Sequence, residues 1–225
     1  GDMIDRKVAP TTPHVTVWPR ETQEGWIAGA LRNEMGEAAV VELTDRTEPR
    51  SHNLNGYHAL ARDVAETPGV VAVASFVQGN AAVSRGRLNL GITVQGVDPR
   101  EYGLVVNFSK HFDEGRIPEL GPSDVAIGFR MARKLGIHVG QHIQVATAST
   151  NRLLRVKAIF HSGYYEKDLQ HAYLPLKTAQ RLFEMGNEVS GLAVRCRDLH
   201  DAVVVSDALA SRLGQKVRNW QDDNS

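Results

Sequence analysis

The chain has 225 residues, and its 26 Lys and Arg are balanced by 26 Asp and Glu. A chain of this length, with 42% hydrophobic residues, buries enough apolar surface to fold without disulfides or metal ions. The zero formal net charge argues against nucleic-acid binding, which depends on an excess of Lys and Arg on one face. A single Cys forms no internal disulfide, so the cysteine count leaves the cellular compartment open.

The sequence contains no pattern typical of a transmembrane helix or a secretion signal. Apolar stretches such as residues 69–77 fall far short of the roughly 20 residues that cross a bilayer. The chain begins with Gly, and no apolar run of the signal-peptide kind follows it. We expect the chain to be excised from a longer protein, with residues 1–13, rich in Pro and Thr, as a flexible leader or an artificial remnant.

The first predicted elements end in a strand–helix–strand unit. Val15 and Val17 alternate with their neighbours, which indicates a half-buried strand stopped by Pro19. Apolar residues at helical spacing follow between Leu54 and Val64, before a Pro-Gly stop. The predicted elements are a strand at 14–18, a weak helix at 24–35, a strand at 38–43, a helix at 54–66 and a strand at 70–77.

The middle of the chain, residues 80–188, is richer in strands. Apolar and polar residues alternate over 88–95 and again over 154–160, which predicts strands with one wet face. A short helix at 129–135 ends at a Gly, and a strand at 143–147 precedes a short polar turn. We expect that turn, residues 148–152, to close a hairpin with the strand that follows.

The last elements repeat the order of the first unit: a strand at 189–196, a helix at 199–213 and a strand at 217–220. A helix packed over two strands leaves an apolar edge or face of its sheet incomplete. The simplest arrangement is therefore one sheet that both units share. The sequence therefore predicts an α+β fold: a sandwich of two strand–helix–strand units with an inserted, strand-rich subdomain. The expected domains are 14–79 with 189–225, and 80–188.

Most candidate chemical motifs are better explained structurally. Gly86, Gly91 and Gly96 lie within a strand pattern, whereas a dinucleotide-binding loop places its glycines before a helix. His138 and His142 are four residues apart but span a loop–strand junction, so helical spacing does not bring them together as zinc ligands.

Three other sets of residues are candidates for chemistry or modification that a simpler explanation also fits. Asp168 and His171 would form an acid–base pair if a turn joined them, but residues 163–168 are typical of a surface loop. Cys196 is in phase with the apolar residues of its strand, which predicts a buried structural thiol. Asn107-Phe108-Ser109 matches the glycosylation triplet, which occurs by chance about once in a chain of this length.

Basic residues gather at two places, and both are interpreted as solvated faces. Arg130, Arg133 and Lys134 lie close together on the short helix, and Arg85 and Arg87 flank a Gly. The alternative for these groups is a docking patch for an acidic partner. The residues therefore predict no catalytic, cofactor-binding or metal-binding site, which favours a binding or coupling role over an enzyme.

Three runs of sequence resemble a known family in a fixed order: 91–102, 123–145 and 154–183. The resemblance is to the MacB-like periplasmic core domain of FtsX-type ABC transporter permeases, especially the lipoprotein-releasing branch, and it covers about residues 70–220. Asn219-Trp220 resembles the Trp before the return to the membrane. The other matching positions are Gly96-Val97-Asp98-Pro99, Ile127-Gly128, Leu135-Gly136 with Gly140, Ile159-Phe160 with Gly163, Asp168, Ala172, Pro175-Leu176 and Ala179-Gln180.

The resemblance implies a fold, a function and partners. The bracketing halves match a porter-like subdomain, and the middle matches the inserted subdomain called the Sabre in these proteins. The implied function is that of a periplasmic domain of a bacterial inner-membrane permease, which moves or releases a substrate such as a lipoprotein or lipid. The implied partners are a cytoplasmic ABC ATPase, which would carry the ATPase activity, a second permease subunit, and a periplasmic adaptor or carrier protein.

The sequence also departs from the family pattern. Gln141 stands where the family often has Asp, Ala158 stands where Gly is usual, and the stretch 14–50 is longer than the usual lead-in. The hairpin at 148–152 lacks the Pro-rich projection with which lipoprotein-releasing permeases engage a carrier, so the resemblance does not extend to lipoprotein handover. Two alternatives stay open: a self-standing periplasmic module that binds a hydrophobic ligand through the aromatic loop 160–165, and a metal-dependent hydrolase that uses the histidines.

Overall fold

The computed structural model describes residues 15–19, 39–43, 57–106, 112–114, 120–197, 199–213 and 217–218. The chain forms two compact units. The first contains residues 1–75, 104–107 and 188–225, and the second contains residues 76–103 and 108–187. The predicted helix at 24–35 and the glycosylation triplet at 107–109 lie outside the described residues.

The first unit contains a mixed sheet in the order β11-β2-β1-β10-β3. β1 pairs in parallel with β2 and antiparallel with β10, so Val15 lies opposite both Ala39 and Val194. Strands from both predicted strand–helix–strand units therefore join in one sheet. Its elements are β1 (Val15–Pro19), β2 (Ala39–Leu43), α1 (Tyr57–Ala65), the first part of β3 (Val70–Arg85), β10 (Gly191–Cys196), α6 (Leu199–Leu213) and β11 (Val217–Arg218).

The two helices of the first unit bury the faces that their apolar spacing predicts. Tyr57 and Val64 of α1 are buried, as are Ala202 and Leu209 of α6. Gly69, after α1, has φ +95°, and a Cβ there would lie 3.3 Å from Asp201 and Val205 of α6. The positive φ and this close approach both favour glycine at this position.

The second unit is a closed ring of six strands. β3 pairs with β4, β4 with β9, β9 with β6, β6 with β8, β8 with β7, and β7 with β3 again. Its elements are the rest of β3, β4 (Leu88–Val97), α2 (Pro99–Val105, which continues into the first unit), β5 (Phe112–Glu114), β6 (Asp124–Gly128), α3 (Phe129–Leu135), β7 (His142–Ala146), β8 (Asn151–Phe160), α4 (Tyr165–Gln170), β9 (His171–Pro175) and α5 (Leu176–Leu182).

Side chains from the ring strands form the core of the second unit. A ring of this size leaves room only for side chains, not for a channel. Each strand of the ring has a neighbour on both sides within it, and β5 pairs with β8 outside the ring. The fully buried residues include Val83, Val94, Val125, Val145, Val156 and Ala172.

The β7–β8 hairpin has the predicted short turn. The Thr147 N–H donates to the Thr150 carbonyl at 2.8 Å, and the Thr150 hydroxyl donates to the Leu182 carbonyl at the end of α5, at 2.5 Å. The turn is therefore folded against the second unit and does not project from it. Among the described residues no helix combines the length and the hydrophobicity that spanning a bilayer requires.

A partly buried ion pair fixes the start of β6 against β8. Asp124 is 4% exposed and accepts a hydrogen bond from Arg155 Nε at 2.8 Å and one from the Gly121 N–H at 2.9 Å. Burial acts to raise the pKa of Asp124, but these hydrogen bonds, with the charges of Arg155 and Lys157, hold that pKa below its ordinary value. The charged form of Asp124 therefore stabilises the fold.

We expect Asp124→Asn to lower the free energy of unfolding by about 1 kcal/mol at neutral pH, because the ion pair with Arg155 is half exposed. Because the pKa of Asp124 is lower in the folded state, its charge stabilises the protein at pH values above the ordinary Asp pKa of 3.8. This stabilisation is lost as the pH falls through the folded-state pKa. Urea unfolding of both proteins at several pH values measures this. A difference that persists unchanged at the lowest pH would contradict the assignment.

Candidate functional site

An exposed aromatic surface lies in the second unit where β8 leads into α4. Tyr164 is 47% exposed and Tyr165 is 58% exposed, and the side chain of His161 is half exposed. Phe129 and Arg130, the first residues of α3, lie beside them because α3 packs against α4. These five residues are called the aromatic cluster below.

Four of the five side chains of the aromatic cluster stack in a row, from Tyr165 through Arg130 and Phe129 to His161. The Arg130 guanidinium carbon lies 4.5 Å from the centre of the Tyr165 ring and 5.0 Å from that of Phe129. The His161 and Phe129 ring centres are 4.1 Å apart. Stacking uses the flat faces of a guanidinium and leaves its in-plane N–H groups available to a ligand. Among the described residues, Arg130 forms no ion pair.

The buried carboxylate of Asp168 fixes the loop that carries the cluster. Asp168 is 1% exposed. Its Oδ1 accepts the Ser162 backbone N–H and the Ser162 hydroxyl, both at 2.7 Å. In turn, Ser162 Oγ accepts the Tyr164 N–H at 3.2 Å. The Asp168 carboxylate therefore holds the backbone at Ser162 and, through the Ser162 hydroxyl, the backbone at Tyr164, which positions the tyrosines.

A glycine lets α4 approach the end of β6. A Cβ on Gly128 would lie 2.2 Å from the carbonyl oxygen of Asp168, closer than any side chain tolerates. Gly163 has φ +85°, a left-handed conformation that favours glycine. The resemblance in the sequence rested in part on Gly128, Gly163 and Asp168, and the structure brings these three residues together at one corner.

Asp168 and His171, the candidate acid–base pair, are both buried. Residues 163–168 were expected to form a surface loop, but α4 begins at Tyr165. The Asp168 carboxylate bonds to Ser162 and lies 3.8 Å from His161 Nε2. A serine nucleophile needs its hydroxyl hydrogen-bonded to a base such as imidazole. The Ser162 hydroxyl bonds to the carboxylate instead, which is a structural arrangement.

The remaining candidate residues have structural surroundings. His138 and His142 are exposed, and the His138 N–H donates to Gln141 Oε1 at 3.0 Å. Gln141, which departs from the family pattern, thus stabilises this turn. Across the described part of the chain, no three His, Cys, Asp or Glu side chains converge to hold a metal ion. Cys196 is buried, as its strand phase predicts.

The two sets of basic residues singled out in the sequence have different surroundings. The Arg85 guanidinium donates to the Leu135 carbonyl at 2.8 Å and to the Gly136 carbonyl, so it caps the end of α3. The prediction of a solvated face is wrong for Arg85. Arg133 and Lys134 are exposed, as predicted.

Other residues of the resemblance also serve packing and capping. Asp98 Oδ1 accepts the N–H groups of Arg100 and Glu101, at 2.9 and 3.2 Å, and so caps the start of α2. A Cβ on Gly96 would lie 2.1 Å from the Ala179 Cβ, so this glycine allows α5 to pack on β4.

The profile of one protein family, the MacB-like periplasmic core domain, matches residues 9–215. The chain belongs to this family. The matched residues include parts of both units and the motif positions from Gly96 to Gln180, so the resemblance read from the sequence is confirmed. Asn219-Trp220 lies beyond the matched residues.

A curated relative agrees with the assignment to the MacB-like family. The lipoprotein-releasing system transmembrane protein LolC of Neisseria meningitidis serogroup B is 26% identical over 213 residues, which cover 88% of this chain and 50% of LolC. The chain thus spans about half the length of this curated relative.

Two solved structures share the fold of the MacB-like domain. The extracellular domain of the noncanonic ABC-type transporter YknZ from Gram-positive bacteria has a TM-score of 0.53 and 16% identity, and covers 74% of this chain and 89% of its own. The periplasmic region of MacB from Actinobacillus actinomycetemcomitans has a TM-score of 0.53 and 13% identity, and the match covers 78% of this chain and 87% of the MacB region. At these identities the likeness concerns the fold alone.

Ser162, Phe129 and the role of Gly128 were not predicted from the sequence. Ser162 occupies a position in a polar loop, and only its contact with a buried carboxylate six residues later reveals its function. An Asp in the first turn of a short helix, preceded by Ser and Gly, is the sequence signal from which such a contact could have been predicted.

We expect Asp168→Ala to lower the free energy of unfolding by about 2 kcal/mol, because it leaves the two Ser162 donors without their acceptor. Ser162→Ala should cost less, and the double variant should be less unstable than the sum of the two by at least about 0.5 kcal/mol. Asp63→Ala, at an exposed position of α1, is the control, with an effect within about 0.5 kcal/mol. Denaturant titration measures all four proteins, and full additivity would contradict the contact.

Gly128→Ala should destabilise the domain by about 2 to 3 kcal/mol, because its Cβ would collide with the Asp168 backbone. Gly91→Ala is the matched control, since a Cβ at that strand position meets nothing within 4 Å. The control should be neutral or stabilising by about 0.5 kcal/mol. Equal thermal unfolding midpoints for the two variants would show that α4 does not pack as described.

Proposed function

We propose that this MacB-like domain is the periplasmic part of an ABC transporter permease and couples cytoplasmic ATP hydrolysis to movement in the periplasm. The family match, which extends over most of the chain, carries the proposal. In this function the domain moves as a rigid lever and exports or releases a substrate such as a lipoprotein or lipid. The ATPase activity belongs to a separate cytoplasmic partner.

The two compact units suit the subdomains implied by the family. The first unit corresponds in this proposal to a porter-like subdomain, expected at 14–79 with 189–225, and the second to an inserted Sabre-like subdomain, expected at 80–188. A closed ring transmits displacement without deforming, because its strands have no free edge. The motif residues Gly96, Gly128 and Asp168 support this rigidity through packing and hydrogen bonds, not through chemistry.

The proposed partners are a cytoplasmic ABC ATPase, a second permease subunit and a periplasmic adaptor or carrier protein. The LolC relative is named for a lipoprotein-releasing system. In this chain the turn between β7 and β8 is tied to the end of α5 by the Thr150 hydroxyl. It offers no projecting arm to a carrier, so we favour export or release without carrier capture by this hairpin.

The test uses the full-length permease reconstituted with its ATPase in lipid nanodiscs. A fluorophore is attached at Asn80→Cys, an exposed position of β3, in a Cys196→Ala background, with an acceptor on the lipid headgroups. Energy transfer should differ between the nucleotide-free and the vanadate-trapped states. A hydrolysis-deficient ATPase is the control. Identical transfer in every nucleotide state, while the complex hydrolyses ATP, would refute coupling.

A self-standing module that binds a hydrophobic ligand is the second candidate, favoured by the exposed rings of Tyr164 and Tyr165. The coding sequence separates the two candidates. A permease domain is expected to be encoded between long apolar segments on both sides, whereas a self-standing module is not.

A further inference from the structure

The zero net charge of the chain conceals a separation between the two units. Residues of the second unit include 14 Lys and Arg against 9 Asp and Glu, a net charge of +5. Those of the first unit include 12 against 17, a net charge of −5. The second unit, taken by itself, is therefore a cationic body that attracts anions.

Part of this positive charge lies on one face of α3. Arg133 and Lys134 follow Arg130 by three and four residues, so the three side chains share a helix face. All three are exposed, and no carboxylate of the described residues forms an ion pair with them. On α4, Glu166 is an exposed opposite charge and Lys167 is a half-buried like charge. The surface stays cationic after Glu166 is counted.

Exposed aromatic rings adjoin these cations. Tyr165 stacks on Arg130, and Tyr164 precedes it, with each ring about half exposed. A tyrosine combines an apolar ring with a polar hydroxyl, which suits the boundary between lipid headgroups and acyl chains. Lys and Arg beside such rings add attraction to anionic headgroups. Binding to an acidic protein would explain the exposed cations, but it would not explain the two exposed tyrosine rings.

We propose that the aromatic cluster, together with Arg133 and Lys134, binds the surface of a membrane that contains anionic phospholipids. The headgroup phosphates contact the three cations, and Tyr164 and Tyr165 lie at the glycerol level. The Asp168–Ser162 contact holds the tyrosines in place, so little conformational entropy is lost on binding. The inference rests on these exposed side chains alone, and it holds or fails independently of ATP coupling.

The experiment is vesicle co-sedimentation of the 225-residue chain. One set of vesicles is phosphatidylcholine, and in the other phosphatidylglycerol replaces about a third of it. The protein should bind the anionic vesicles and not the neutral ones. Arg130→Gln should lower the partition coefficient about five-fold, and Tyr165→Ser should lower it while leaving the net charge unchanged. Glu166→Gln should raise it, because it removes the opposing charge.

Arg181→Gln, an exposed position of α5, is the matched control, since it changes the net charge of the same unit equally. It should leave binding unchanged, and all variants should keep the thermal midpoint of the parent. Equal losses for Arg181→Gln and Arg130→Gln would overturn the proposal in favour of diffuse charge. Binding to poly-glutamate without binding to anionic vesicles would indicate an acidic protein partner, and complete competition by millimolar inorganic phosphate would indicate a small-anion site; either result overturns it.

Discussion

The arrangement of the second unit depends on the buried carboxylate of Asp168. A carboxylate removed from water is costly unless it is hydrogen-bonded, and here it accepts both donors of Ser162. This contact joins the end of β8 to the first turn of α4, and Gly128 makes room for the α4 backbone at the end of β6. Three elements thus meet at one point. The exposed rings of Tyr164 and Tyr165 take their positions from it.

Several motif residues of this chain have packing and capping roles. Gly96, Gly128, Gly136 and Asp98 permit close packing or end helices, and Asp168 fixes a loop. Such residues produce a body that keeps its shape when it is moved. The coupling function that we propose needs this property, whereas an enzyme needs a reactive group held beside its substrate. The closed ring of strands serves the same purpose in the second unit.

Much of the secondary structure was predictable because its signals are local. The helix at 129–135 ends at a glycine in the left-handed conformation, and the long helix near the end of the chain has regular apolar spacing. The strand Asp124–Gly128 gave no such signal, because all five of its residues are buried and none alternates. The polar sequence of α4 indicated a loop, since its one buried charged residue is identified only by a tertiary contact.

The candidate site was predictable only in part. The aromatic residues of 160–165 were recognised as a candidate for a hydrophobic ligand, but Phe129 and Arg130 join them through the packing of α3 on α4. Local sequence does not reveal which distant residues meet. Composition likewise sums the charges of both units to zero, and only the division of the chain reveals that they are segregated.

Native-state hydrogen exchange tests the central claim most directly. If Asp168 fixes the corner, the Ser162 and Asp168 amides should exchange as slowly as those of β6 and β8 in the parent protein. In Asp168→Ala, which removes the acceptor of both Ser162 donors, the protection of residues 161–168 should fall while that of the first unit stays unchanged. Equal protection of residues 161–168 in both proteins would contradict the account.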